Sequence, residues 1–330
     1  MIDLHLHLDG SLSIEDCQYL SRLEGVDLGN DFPTNLYVPD DCPSLEEYLT
    51  KFELPLKLLQ SKKAIEYATY SLTNRLAKMG YIYAEIRYAP LLHLQKGLTQ
   101  LEVANAALSG LEKALKEHPD FEANLILCCM RHASFELNKE TIEVAHQLKG
   151  TRVVAVDLAG AEKLHPSSYY KDIFALAKQY GLNITIHAGE ATGSDEIMMA
   201  LDNGATRIGH GVHLSLDAAT VQRVNKENIC FEFCPTSNLQ TKSLKTYKDV
   251  PLREFMERKI HVTINSDNMT VSNVTALSEM AVMKKTFNLS KEEVNSLLLT
   301  SIDCAFTSKK VKQGLKEKLA KRIDEYYYNL

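Results

Sequence analysis

Eight short runs rich in β-branched and apolar residues, each closed near a Gly, Pro, Asn or Asp, recur along this chain: IDLHLH, YIYAEIRY, NLILCCMR, RVVAVDLAG, NITIHAG, TRIGHG, ICFEFCP and HVTINSD. From the second run onward the intervening segments carry a helical pattern, as in HPSSYYKDIFALAKQYG before Asn183 and SLDAATVQRVNKEN before Ile229. Strand and helix in strict alternation require parallel strands joined by helical crossovers, and eight such units predict an α/β fold closed as a (β/α)8 TIM-type barrel. An open, doubly wound sheet is the alternative. A length of 330 residues would allow two average domains, but a single barrel domain over residues 1–330 also fits, and no domain boundary is visible.

The stretch between the first two strands, about residues 11 to 80, is too long for one crossover. Ser13 to Asp16 and Ser44 to Glu47 both have capping-box spacing, and LEEYLTKFELPLKLLQ follows the second. These are expected to be helices placed over a barrel mouth. Further helices close the chain: Ser290 and Glu293 cap LSKEEVNSLLLTSI, and KKVKQGLKEKLAKR places Val311, Leu315, Leu319 and Ile323 on one face, so its lysines read as a solvated surface.

Hydrophobic residues at 45% and charged residues at 24% are those of a globular protein with a large core. A net charge of -6 does not supply the basic surface that nucleic acid requires, although a single nucleotide or nucleoside remains compatible. The N-terminus has no signal-peptide pattern and no run of apolar residues spans a membrane, which leads to the expectation of a cytoplasmic protein with no membrane partner. Seven cysteines, with no C-x-x-C pair, read as reduced core residues rather than a disulfide framework or a thiolate metal site.

In a barrel, chemistry collects where the strands end at their carboxyl side. His5 and His7 share one face of the first strand, because successive side chains alternate. Taken alone, that pair reads as the polar face of an edge strand. His187 in ITIHAGE, His210 in RIGHG and Asp267 in TINSDN, however, also fall at strand ends and would meet at the same mouth. Three imidazoles and a carboxylate suit a borderline cation such as zinc, with room for a water. His93, His118, His132, His146, His165, His213 and His261 lack such mutual spacing and read as surface or satisfied core groups. Glu85 and Arg87 share a face of the second strand and read as an internal ion pair, whereas Arg207, three residues before His210, falls on the opposite strand face from it.

Through HLHLDGS, EIRYAP, CCMRH, VDLAG, HAGE, RIGHG, CPTSN and NSDN, in that order, the sequence resembles the adenosine deaminase family of metal-dependent amidohydrolases along essentially its whole length. HAGE with RIGHG is specific, while H-x-H alone is shared by many amidohydrolases. The resemblance implies one zinc ion per chain held by His5, His7, His187 and Asp267. It makes Glu190 the proton donor to purine N1 and His210 the residue that orients the attacking water. It places the Gly160 N–H against purine N3 and Asp9 against a ribose hydroxyl, and it makes Asp157 a supporting polar group. At the position contacting N7, where many members carry Asp, this chain has Asn268, whose amide donates at any pH. VDLAG is followed by Ala161, where an acid is frequent.

The implied reaction is zinc-dependent hydrolysis of adenosine and 2'-deoxyadenosine to the inosine forms and ammonia, so the expected partner is a small purine nucleoside. By resemblance, a two-metal amidohydrolase would need a bridging lysine at the end of strand four, but the sequence there is VDLAG, which counts against a second metal. The H-x-E with P-C-x-x-C pattern of base-editing deaminases is absent, as are Walker A, G-x-S-x-G and G-x-G-x-x-G patterns. Two readings stand beside the leading one: a deaminase of another 6-aminopurine, either adenine or an N6-substituted nucleotide, and a non-catalytic nucleoside-binding barrel. The latter has no need of the acid at Glu190.

Overall fold

The computed structural model describes residues 1–39 and 42–330. The eight runs form β1 (Ile2–His7), β2 (Tyr83–Tyr88), β3 (Glu122–Met130), β4 (Val153–Ala159), β5 (Asn183–Ala188), β6 (Arg207–His210), β7 (Cys230–Phe233) and β8 (His261–Ile264). Neighbouring strands are parallel in the order β1 to β8, so the barrel prevails over the open sheet. Closure comes from a bridge between Leu6 and Asp267, in which Asp267 N donates to His5 O at 2.8 Å and His7 N to Asp267 O at 2.7 Å. β8 therefore stops three residues before the Asp267 that the sequence put at its end. Asp267 has φ +60°, which no strand sustains, and it pairs with β1 from a turn that continues β8.

The apolar core lies between the strands and the helices around them. Leu4, Leu6, Ile86, Leu127, Val156, Ile186, Ile208, Phe231 and Val262 point outward into that layer and are buried there. Alternation then turns the other set inward, and that set is polar: Asp3, His5, Glu85, Arg87, Asp157, Glu232 and Thr263 are all fully buried. Such a centre holds together only if each charge is paired. Arg87 reaches Asp157 at 3.0 Å and Glu232 at 2.8 Å, while Arg207 reaches Glu85 and Glu232, both at 2.6 Å. The expected Glu85–Arg87 pair is thus replaced by cross-barrel partners. Residues two apart on a strand point the same way, and here acceptors on other strands lie within reach of each guanidinium.

Of the helices between β1 and β2, Leu45–Leu49 and Glu53–Leu58 cover the mouth, whereas Lys62–Lys78 packs outside the barrel against Gln100–Glu117. The capping pairs Ser13/Asp16 and Ser290/Glu293 form reciprocally; at Ser44 the hydroxyl accepts from Glu47 N, which is half of such a pair. The helix Lys309–Asn329 buries Leu315 and Leu319, with Val311 and Ile323 packed beside them.

Candidate active site

At the carboxyl ends of the strands lies a cavity of about 260 Å³. Its floor carries His7, His187, Glu190, His210 and Asp267, and Asp9, Gly160 and Asn268 line its sides. An apolar wall of Leu45, Leu49, Phe52 and Leu56 comes from the two covering helices and the turn that joins them. Two of the floor residues reach it by unusual backbone. Strand alternation from Arg207 would point His210 away from the interior, but His210 has φ +60°, which turns its ring inward, so both side chains are buried inside the barrel rather than on opposite faces. Asp267 uses the same left-handed conformation.

One donor atom from each of His5, His7, His187 and Asp267 lies within 4.8 Å of the other three. His7 Nε2 and His187 Nε2 are 3.3 Å apart, and Asp267 Oδ1 is 3.5 Å from His5 Nε2 and 3.4 Å from His7 Nε2. The outward nitrogens are occupied: His5 Nδ1 is 2.7 Å from Glu232 Oε2, and His187 Nδ1 is 3.0 Å from Asp157 Oδ2. Each carboxylate fixes the ring so that Nδ1 carries the proton and the Nε2 lone pair faces the cluster. His5 Nε2 is buried with no hydrogen-bond partner, as a nitrogen aimed at a cation would be. Burial drives the His7 imidazole well below its usual pKa against the opposing pull of Asp267, which keeps the ring neutral. Burial alone would raise Asp267, but the neighbouring rings of His5, His7 and His210 outweigh it and hold the carboxyl well below its usual range. Neutral imidazoles and an ionised carboxylate are the states a divalent cation requires, and three nitrogens with one oxygen suit zinc.

Across the cavity, Glu190 and His210 face each other, with Oε2 and Nε2 3.6 Å apart. Asn238 Nδ2 lies 3.2 Å from His210 Nδ1 and holds the ring from behind. Asp9 accepts from Gly10 N at 3.0 Å, and burial pushes its pKa up to about 6. Asn268 Nδ2 donates to Tyr48 Oη at 2.8 Å, and Tyr48 Oη is 2.8 Å from Ser272 Oγ. The Asn268 amide packs on Gly10, where any Cβ would overlap Oδ1.

The structure brings every sequence-derived site residue to this mouth or directly beneath it. It also adds residues that the sequence reading passed over. Glu232 was visible as the one charge in the apolar run CFEF, on the inward face of β7. Asn238 closes the CPTSN motif, which carried the resemblance but no assigned role, and Tyr48 left no comparable signal, since it belongs to a short helix whose placement over the mouth is a tertiary matter. His132, set aside as an ordinary surface or core group, lines the cavity, because the chain leaves β3 directly at the mouth.

Residues 1–322 match the family model described as adenosine deaminase. The chain belongs to the adenosine deaminase family. An adenosine deaminase of Haemophilus ducreyi is 42% identical, covering 98% of this chain and 97% of that protein; one of Clostridium botulinum is 38% identical, covering 96% and 97%. Among solved structures, an N6-methyl-AMP deaminase of Arabidopsis thaliana is similar with TM-score 0.86 and 26% identity, covering 98% of this chain and 97% of that one. An adenine deaminase of Arthrobacter aurescens, with TM-score 0.87, 24% identity and 98% of both chains covered, shares the fold. So does a zinc-bound amidohydrolase of Burkholderia ambifaria, with TM-score 0.89, 18% identity and coverage of 99% and 91%. The adenosine deaminase family is metal-dependent, and the four convergent donors are a group that could hold a metal ion. Among the described residues, no helix is long and apolar enough to cross a membrane.

Proposed function

We propose that residues 1–330 act as one domain that hydrolyses adenosine and 2'-deoxyadenosine to inosine and 2'-deoxyinosine with release of ammonia, using one zinc ion held by His5, His7, His187 and Asp267. The observation that carries this reading is the meeting of those four donors with Glu190 and His210 at one cavity in the barrel mouth, in a member of this family. When bound, zinc lowers the pKa of a coordinated water from roughly 15.7 to about 7. His210 would orient the attacking water towards C6 and take its proton. Glu190 delivers a proton to purine N1, so that C6 becomes tetrahedral without charge accumulating on the ring. The C6–O bond forms and the C6–N6 bond breaks; the amine leaves as ammonia with the proton that His210 took from the water, the remaining hydroxyl proton returns to Glu190, and the product keeps the proton at N1. Gly160 N–H faces N3, Asn268 donates to N7, and Asp9 accepts from a ribose hydroxyl.

Two features favour a nucleoside over a nucleotide. Asp9 lines the cavity while no Lys or Arg does, among the described residues, and His132 is pushed below its ordinary pKa by burial. A 5'-phosphate would meet a carboxylate without a cation to offset it. The seven cysteines are unpaired, which supports a reducing compartment, and we place the enzyme in the cytoplasm. The test is kcat/KM for adenosine, 2'-deoxyadenosine, AMP, N6-methyl-AMP and adenine at one salt concentration, followed by loss of absorbance. The two nucleosides are expected to lead. A nucleotide or free base in front would keep the chemistry and overturn the substrate, and no turnover of any would leave a binding barrel.

A further inference from the structure

The turn that carries Glu190 is held by a carboxylate with no role in the reaction as described above. β5 ends at Ala188, and Gly189 follows with φ +69°. A Cβ there would overlap the Ile197 side chain, so the left-handed turn and the close packing both require glycine. This conformation points three successive main-chain N–H groups, those of Gly189, Glu190 and Ala191, at one spot, where Glu162 accepts all of them. Oε1 takes Gly189 N, while Oε2 takes Glu190 N at 3.1 Å and Ala191 N at 2.8 Å. Such a concavity of N–H groups ordinarily receives a free anion. Here the chain fills it with its own side chain, from the loop after β4, and Glu162 is only 2% exposed.

The same turn is held from its other side. Gly189 O accepts from His213 N at 3.3 Å and lies 3.1 Å from His213 Nδ1. His187, three residues before Glu190, has separate supports: its carbonyl accepts from Arg131 at 2.7 Å and its ring is bound to Asp157. The metal-ligand end of this segment and the acid end are therefore anchored independently, and Glu162 serves the acid end.

We propose that Glu162 is a positioning residue for the deamination, one that fixes the main chain at 189–191 so that the Glu190 carboxyl meets the purine ring. This rests on the reading of Glu190 as the acid. Hydrogen bonds to an ionised acceptor are about twice as strong as neutral ones, and a proton donor must be held within hydrogen-bond reach of the atom it serves. Replacement by Gln preserves the size but leaves one acceptor oxygen, and its NH2 would face at least one main-chain N–H.

The experiment is a double-mutant cycle in the zinc-loaded enzyme with Glu162→Gln and Glu190→Gln. Glu162→Gln is expected to lower kcat about 10- to 100-fold, as loss of an outer-shell partner does, with KM for adenosine within about threefold of wild type and zinc content unchanged. In the Glu190→Gln background the same substitution should cost less than about twofold, because the group it positions is gone. Equal losses in both backgrounds, a kcat within twofold of wild type, or loss of zinc would each overturn the proposal. Hydrogen exchange supplies a readout independent of substrate. The amides of Gly189, Glu190 and Ala191 should exchange faster in Glu162→Gln while the barrel strands stay protected, and unchanged exchange there overturns the clamp even if adenosine is not the substrate. Should Glu162→Gln fail to fold, Glu162→Asp, which keeps the charge one methylene short, is judged by the same criteria.

Discussion

Glu232 offers the sharpest test of how the barrel interior supports the four proposed metal ligands. Its carboxylate receives four donors, all from buried groups: Oε2 takes His5 Nδ1 at 2.7 Å and Arg87 at 2.8 Å, and Oε1 takes Arg207 Nε at 2.6 Å and Thr185 Oγ1 at 3.0 Å. Burial alone would raise its pKa, but Arg87 and Arg207, with His5, hold it well below the usual range, so it is an anion. Glu232→Gln replaces one acceptor oxygen by an NH2. If that NH2 faces His5, the ring must present a bare Nδ1 and move its proton to Nε2, the atom aimed at the cation. If it faces Arg207, a guanidinium N–H is left unmatched. Either way a buried guanidinium loses part of its partner, at a cost of about 3–5 kcal/mol by comparison with other broken buried pairs, and metal affinity should fall about 10- to 100-fold through His5. Urea unfolding of the metal-loaded and metal-stripped protein separates the two contributions, and competition with a chelator reads the affinity directly. The stripped protein should lose stability and the loaded protein should lose more. A stability change under about 1 kcal/mol in both forms, with zinc affinity unaltered, would refute this account of the interior.

Glu190→Gln should retain zinc and fold and lose about 10²- to 10⁴-fold in kcat, because only the acid is removed; a variant within threefold of wild type would reassign the proton donor. Asn268→Ala should lower kcat/KM for adenosine more than for its 7-deaza analogue, which has no N7 acceptor, and equal losses would place the contact elsewhere. Glu279 is buried and accepts from Thr236; burial, partly opposed by those hydrogen bonds and assisted by the charges of Asp3 and Asp267, pushes its pKa up to about 7. Between its usual value near 4.5 and about 7 the folded protein holds a proton that the unfolded chain has lost, so stability falls as pH rises through that window, by about 3 kcal/mol at most. Glu279→Gln should therefore gain on wild type from pH 5 to pH 8 in denaturant unfolding, and a difference that is flat with pH would remove this residue from the pH dependence.

The fold was legible because its signal is repeated. Each run such as NITIHAG carries weak information, but eight of them at crossover spacing leave few topologies, and alternation within β1 already placed His5 and His7 together on the inner face. The boundaries were less legible: β8 reads as HVTINSD but ends at Ile264, since the departure of Asp267 into the left-handed region depends on its pairing with β1 across the closure. Pairings inside the barrel were not legible at all. Glu85 and Arg87 lie on one face as expected, yet which guanidinium meets which carboxylate is decided across the barrel, by acceptors on β4 and β7.

The same distinction separates the groups that meet the substrate from those that hold them. The groups proposed to react sit at or just after strand ends and leave short motifs, HAGE and RIGHG among them, because chemistry demands particular residue types at particular places. Their supports are chosen only for reach and charge. An acid after VDLAG looked to be missing when Ala161 was found there, but Glu162 is one residue further on, and it is the geometry of the 189–191 turn, not its spacing in sequence, that gives its carboxylate a purpose. His210 makes the converse point. Its place in RIGHG singled it out, yet strand alternation from Arg207 would have sent its ring outward; only the φ of +60° brings it to face Glu190. A backbone angle of that kind costs a non-glycine residue about 1–3 kcal/mol, and it persists where surrounding contacts hold it, here the bond to Asn238 and the packing against the His5 and His187 rings. At His210 and Asp267, then, local preference is overruled by the barrel around them, which is why the orientation of these two rests on tertiary contacts while that of His5 and His7 follows from alternation within β1.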